Sequence, residues 1–126
     1  MLFKKKEVKK KRRKLTPAKK EQNELDAIWK KKVKDRDNWT CQVCRKKLEP
    51  RSCHAHHILP KHLKGKRVGL RWDVDNGIAL CPYHHKLGPY AAHQNSVWFT
   101  YWLKTNKSAQ FKHVVERLKM IGEVLE

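Results

Sequence analysis

The chain has 126 residues and a formal net charge of +19, from 31 Lys and Arg against 12 Asp and Glu. That length suits one domain with an appended tail, and the charge favours a polyanionic partner, either nucleic acid or an anionic membrane surface. No apolar run approaches the roughly 20 residues of a membrane span, and no apolar stretch follows Met1-Leu2-Phe3-Lys4-Lys5-Lys6 to make a secretion signal. Nucleic acid is therefore the favoured partner and a reducing cytoplasm the expected compartment. In such a compartment the four Cys read as metal ligands more readily than as disulfides.

Residues 1–16 are mostly Lys and Arg. Such a run repels itself and builds no core, so it is expected to be disordered alone and to lie on phosphates when nucleic acid is bound. The remainder, 17–126, is expected to form a single domain. Thr16-Pro17 has the form of an N-cap followed by Pro at the first helical position. Leu25, Ile28, Trp29 and Val33 recur at helical spacing, which predicts a helix over 17–36 with Lys30, Lys31, Lys32 and Lys34 on its other face. Trp29 is assigned to the core.

Trp39 to Leu48 predicts a short hairpin carrying Cys41-x-x-Cys44. Alone, that pair is weak evidence and is equally consistent with a redox motif. Cys81-Pro82-Tyr83-His84 supplies a second half-site. Together they make a Cys3His set, a closed tetrahedral arrangement suited to structural zinc. The 36 intervening residues are too many for an ordinary zinc finger and fit a zinc clamping the ends of a larger insert. Cys53 is left over, with substitution for one ligand as the alternative.

His54 to Leu59 predicts a strand. Alternation sets His54, His56 and Ile58 on one side, and Ala55, His57 and Leu59 on the other. Pro60 ends it. Lys61 to Arg71 is a basic loop suited to phosphates, Asp75-Asn76-Gly77 a turn, and Ile78-Ala79-Leu80 a short apolar strand. A helix is predicted to begin at 82–84 and to stop or kink at Gly88-Pro89. Asn95 or Ser96 caps the next, with Val97, Trp98, Tyr101, Trp102 and Leu103 as its apolar residues. A last helix is predicted over about 109–124, striped by Phe111, Val114, Val115, Leu118, Ile121 and Leu125.

The histidines carry the chemistry. Phosphodiester hydrolysis requires a base for water and a cation for the phosphoryl and leaving oxygens. An imidazole has a suitable pKa, about 6.5, and a divalent ion acts as Lewis acid and template. His56 and His85 are the candidate ligands of such an ion. His57, facing away from His56, is the candidate general base. Asn76 is expected to fix the loop and orient His57. Because His85 follows His84, the structural zinc would hold the element that presents it.

These motifs resemble the HNH endonucleases, the ββα-metal nucleases. The matching residues are Cys41-x-x-Cys44, His56-His57-Ile58-x-Pro60, and Asn76 with Leu80-Cys81-x-x-His84-His85. The likeness spans roughly 29–86; a looser one, over Leu70 to Cys81, Ala92 to Asn95 and Trp102-Leu103, is to small bacteriophage members. The resemblance implies an α+β fold with a small ββα-metal core over about 39–93, a zinc knuckle, an N-terminal helix and C-terminal helices over about 95–125. It implies His57 and Asn76 as catalytic residues and His85 as a metal ligand. It further implies one catalytic divalent ion (Mg2+, Mn2+ or Zn2+) beside the structural Zn2+, and cleavage of DNA to a 5′-phosphate and a 3′-hydroxyl. The DNA is expected to be double-stranded and held mainly through phosphates.

Two departures stand out. The second knuckle of the family usually ends in Cys where this chain has His84, and the order Cys81-x-x-His84-His85 assigns His84 to zinc. Some members also use a further His as a third ligand, and His93 is the candidate here. Eight residues on one continuous helix rise roughly 12 Å, too far to share an ion, so this role requires Gly88-Pro89 to break the helix. A reading of another class, a non-catalytic zinc module that binds nucleic acid, parts from the nuclease at His57. An RNA-processing enzyme with the same site is a third.

Overall fold

A computed structural model describes residues 11–60 and 70–120. The expected phosphate-binding role of 1–10, most of the basic loop, and the Ile121 and Leu125 end of the last stripe lie outside the described residues. Residues 11–16 are exposed and form no regular secondary structure.

Helix α1 spans Pro17–Arg36. Thr16 caps it, its Oγ1 accepting from the Lys19 amide at 3.2 Å, with Pro17 in the first turn. Such a cap contributes about 1 kcal/mol. At the other end Asn38 takes a left-handed conformation at φ 54°. The Asn38 amide donates to the Asp35 carbonyl and the Trp39 amide to the Lys34 carbonyl, the paired bonds of a Schellman ending. Trp39 is also left-handed (φ 53°), and this double reversal turns the chain into the knuckle. Trp29 and Val33 are the buried residues of α1. Ile28, expected in the same stripe, is half exposed: the buried face narrows to residues 29 and 33.

The predicted hairpin over 39–48 is reduced to an antiparallel bridge between Thr40 and Lys47. The knuckle attaches to the sheet by its backbone, the Gln42 amide donating to the Ala79 carbonyl at 3.1 Å. Strand β1, His54–His57, pairs antiparallel with β2, Gly77–Leu80. The register sets His54 opposite Leu80, Ala55 opposite Ala79, His56 opposite Ile78 and His57 opposite Gly77. Two strands alone are marginal in water, so both faces need cover. α1 packs on the face of His57 and Gly77, where the missing side chain of Gly77 lets Trp29 and Val33 come close. The other face, with His56 and Ile78, meets Phe99 and Leu103 in the core.

Val74–Asn76 forms a 3-10 turn before β2, and Tyr83–Leu87 a single π-helical turn after it. Helix α2 spans Ser96–Asn106 with Asn95 as its cap, and α3 spans Ser108–Met120. In α2 the buried residues are Phe99 and Leu103, while Val97 and Tyr101 are exposed. The apolar list expected for α2 is corrected accordingly. Phe99 lies four residues before Leu103 and so shares its face, whereas Val97 and Tyr101 fall on the solvent side. The result is an α+β fold: helices around a small antiparallel sheet, with a Cys/His cluster like a zinc knuckle. No helix among the described residues is long and apolar enough to cross a membrane.

Candidate metal centres and active site

Cys41, Cys44, Cys81 and His84 bring one ligand atom each to within 4.8 Å of all the others. Cys81 Sγ lies 3.2 Å from His84 Nδ1, Cys41 Sγ lies 3.9 Å from the same nitrogen, and Cys44 and Cys81 Sγ are 4.0 Å apart. Tetrahedral bonds of 2.0–2.3 Å set ligand edges at about 3.3–3.8 Å, so the observed spacing brackets that of zinc. The electrostatics agree. Burial and the neighbouring Cys41 and Cys44 push the Cys81 thiol up to about 11. Burial also raises the Cys41 thiol, but amides of Cys44, Cys81 and Val43 outweigh it and leave that thiol lowered. Crowded thiols of this kind are relieved by a cation. Cys53 is buried and raised mainly by burial, and it stands apart from the cluster.

A second cluster joins His56, His85 and His93. His56 comes from β1, His85 from the π-helical turn and His93 from the segment before α2. The Nε2 atoms of His85 and His93 are 3.1 Å apart. Two nitrogens each about 2.0–2.1 Å from one ion lie about 2.9–3.4 Å apart, so the pair fits a shared cation. His93 reaches this place because the chain doubles back at Gly88-Pro89. The Ala92 amide donates to the His84 carbonyl, and the His93 amide to that of His85. The rise along a continuous helix therefore does not apply.

Burial first, then the neighbouring His85, His93 and His57, hold His56 down at about 3. Burial, followed by His93, His54 and Lys86, lowers His85 to about 4. Burial and Lys86 lower His93. His56 and His85 are thereby kept as neutral imidazoles, the form that ligates metals, and His93 is pushed in the same direction. His54 completes the group: its Nδ1 lies 2.9 Å from His85 Nδ1. Sequence reasoning set His54 on the same face as His56 and gave it no role.

His57 points to the opposite face of β1, against Trp29, yet it lines the same cleft as His56, His85 and His93. Its Nε2 is 2.9 Å from the Arg71 carbonyl oxygen. A carbonyl only accepts, so Nε2 carries a hydrogen and donates it. Asn76 is buried at the end of the 3-10 turn, just before β2. Its Oδ1 accepts from the Leu59 amide at 2.8 Å, and its Nδ2 donates to the Leu59 and Leu70 carbonyls at 3.2 and 3.0 Å. Asn76 thus ties Leu59 to Leu70. Its bearing on His57 runs through backbone: the Asn76 carbonyl accepts from Ile58, next to His57, and Leu70 precedes Arg71. Asp73, Asp75 and His113 also converge, but Arg117 lies 3.8 Å from Asp73, and the group reads as an ion-pair network joining α3 to the 3-10 turn.

Comparison with protein families identifies the segment that holds these groups. Residues 41–87 match the HNH endonuclease family model. Over those residues the chain is similar to HNH endonuclease domains. The matched residues include both zinc half-sites, His56, His57, Asn76 and His85, and they end before His93. The match supports a nuclease-type function, and HNH nucleases use divalent metals and act on DNA. The match does not single out a bacteriophage subgroup. No curated protein and no solved structure matches the chain.

Proposed function

We propose that the HNH domain hydrolyses DNA phosphodiester bonds, with His57 as general base, and leaves a 5′-phosphate and a 3′-hydroxyl. The observation that carries this reading is His57 itself. Its Nε2–H is tied to the Arg71 carbonyl, and the ring lines the cleft of His56, His85 and His93. His57 Nδ1 takes a proton from water as the oxygen attacks phosphorus. The bond from phosphorus to the 3′ oxygen breaks, and that oxygen takes a proton from solvent water. Asn76 holds the backbone that supports the base.

His56, His85 and His93 would hold a divalent cation, which when bound offsets charge on the phosphoryl and leaving oxygens. Cys41, Cys44, Cys81 and His84 would hold zinc and keep His85, the next residue, in place. Lys86 lines the cleft beside these histidines and suits a phosphate. The strongly basic chain supplies further phosphate contacts, which confer affinity without sequence preference.

The test is a supercoiled-plasmid assay comparing wild type with His57→Ala in EDTA, Mg2+, Mn2+ and Zn2+. Metal-dependent nicking or linearisation by wild type alone is expected, with both proteins binding DNA equally. Equal cleavage by His57→Ala removes the base assignment. Tight, salt-sensitive binding without cleavage under any metal leaves a nucleic-acid-binding zinc module instead.

A further inference from the structure

The residues that hold His57 include one element outside the matched segment: α1. The indole of Trp29 lies flat on the His57 imidazole, with ring centroids 3.8 Å apart and planes 8° from parallel. Trp29 is 1% exposed, and its Nε1 donates to the Asp73 carbonyl at 2.7 Å, so the indole is fixed at its far edge. The sheet makes room for it. Gly77 pairs with His57 across the strands, and a Cβ on Gly77 would come within 2.5 Å of both Trp29 Cζ2 and Val33 Cγ2. The absence of a side chain opposite the imidazole is what admits the indole.

The same helix acts on His57 by a second route. Asp26 lies three residues before Trp29 and shares its face. It takes a bidentate pair of bonds from Arg71, at 2.9 and 2.8 Å, and a third from Trp72 Nε1 at 3.0 Å. The carbonyl of that Arg71 is the one beside His57 Nε2. One helical turn therefore places both the surface under the ring and the acceptor at its edge.

These two restraints answer a specific weakness of histidine. Its χ2 torsion joins sp3 to sp2 carbon and is broad and roughly two-fold. A half-turn exchanges Nδ1 with Cδ2 and Nε2 with Cε1, which would present carbon where a lone pair is needed. Stacking holds the plane of the ring, and the Arg71 carbonyl distinguishes its two edges. An aliphatic side chain at position 29 would remove the stacked surface and leave the torsion free.

We propose that Trp29 is a positioning residue for His57, so that α1 is part of the active site. The catalytic consequence rests on the nuclease reading above; the positioning itself does not. The experiment uses full-length, zinc-loaded wild type, Trp29→Phe and Trp29→Leu. Proton–nitrogen spectra of the His57 side chain report its tautomer and the ring-current shift of its protons. Plasmid cleavage in saturating Mn2+ reports kcat and KM on the same samples.

Wild type and Trp29→Phe are expected to show one Nε2–H tautomer with shifted ring protons. Trp29→Leu should lose the shift, average the tautomers, and lower kcat roughly 10–100-fold with KM unchanged. A wild-type His57 spectrum and rate in Trp29→Leu overturn the proposal. So does an equal loss in Phe and Leu, because a stack that Phe restores is the point at issue. Absence of cleavage by wild type overturns the nuclease reading alone, and the spectra still decide on Trp29. If Trp29→Leu loses its zinc, Gly77→Ala displaces the indole from the other side and is scored by the same spectra.

Discussion

His54 and His85 face one another through their Nδ1 atoms at 2.9 Å. One nitrogen must donate and the other accept. His85 Nε2 lies beside His93 Nε2, the edge suited to a cation, so the hydrogen of His85 belongs on Nδ1. His54 then accepts through Nδ1 and carries its own hydrogen on Nε2. A partner of this kind fixes the tautomer of a ligand and raises its basicity, and its loss commonly costs 10–100-fold in metal affinity. His54→Ala should accordingly weaken the catalytic ion roughly 10–100-fold with zinc content unchanged. Titrating cleavage with Mn2+ checks this, and an unaltered midpoint would remove His54 from the site.

The Cys3His cluster ties together parts of the chain distant in sequence. Cys41 and Cys44 belong to the knuckle that bonds β2, and Cys81 and His84 lead directly into His85. Binding energy at such a site is folding energy. Cys41→Ser should therefore release the zinc and abolish cooperative unfolding, and a strong chelator should do the same to wild type. Metal analysis beside a thermal melt followed by circular dichroism is the measurement. A Cys41→Ser protein that kept both zinc and melt would show that the ligand set is wrong, with Cys53 the next thiol to examine.

Gly77 offers a test of the α1–sheet contact that does not touch a ligand. An added methyl would meet Trp29 and Val33 side chains at 2.5 Å, closer than packed atoms tolerate. Both neighbours are buried, Val33 wholly so, and neither is a flexible surface chain. Overpacking of this type costs about 1–3 kcal/mol. Gly77→Ala should lower the denaturant midpoint by that measure, and an unchanged midpoint would mean that α1 shifts freely over the sheet.

Much of this arrangement was legible because local chemistry decided it. Thr16-Pro17 and Asn95 state where helices start, and the two half-sites of Cys and His converge as their spacing implied. Alternation along β1 separated His56 from His57. What was not legible depended on elements distant in sequence. Phe99 escaped notice because five neighbouring apolar residues gave no clear stripe, and packing against His56 selects it. The place of His93 was legible only on condition that Gly88-Pro89 break the helix, and the chain does reverse there, bonding back onto His84 and His85. Trp29 was rightly assigned to the core, but no sequence pattern joins residue 29 to residue 57. His54 had a signal, since it shares a strand face with His56, but its partner His85 lies 31 residues away.

Acid should weaken the fold through the histidine cluster. In the folded chain His56 is held at about 3 and His85 at about 4, both chiefly by burial. In the unfolded chain each returns to about 6.5. Between roughly pH 6.5 and the folded values, the unfolded state binds more protons than the native state, so stability rises with pH across that window. The stability present above pH 6.5 is lost progressively as pH falls towards 4 and then 3. Urea unfolding of zinc-loaded protein without the second metal should give a lower midpoint at pH 5.5 than at pH 7.5. His56→Gln should flatten part of that dependence, because it removes a group that must stay neutral to remain buried. A pH slope identical in wild type and His56→Gln would mean that the acid sensitivity arises elsewhere, with the zinc ligands the first alternative. Zinc release measured across the same pH series separates the two causes.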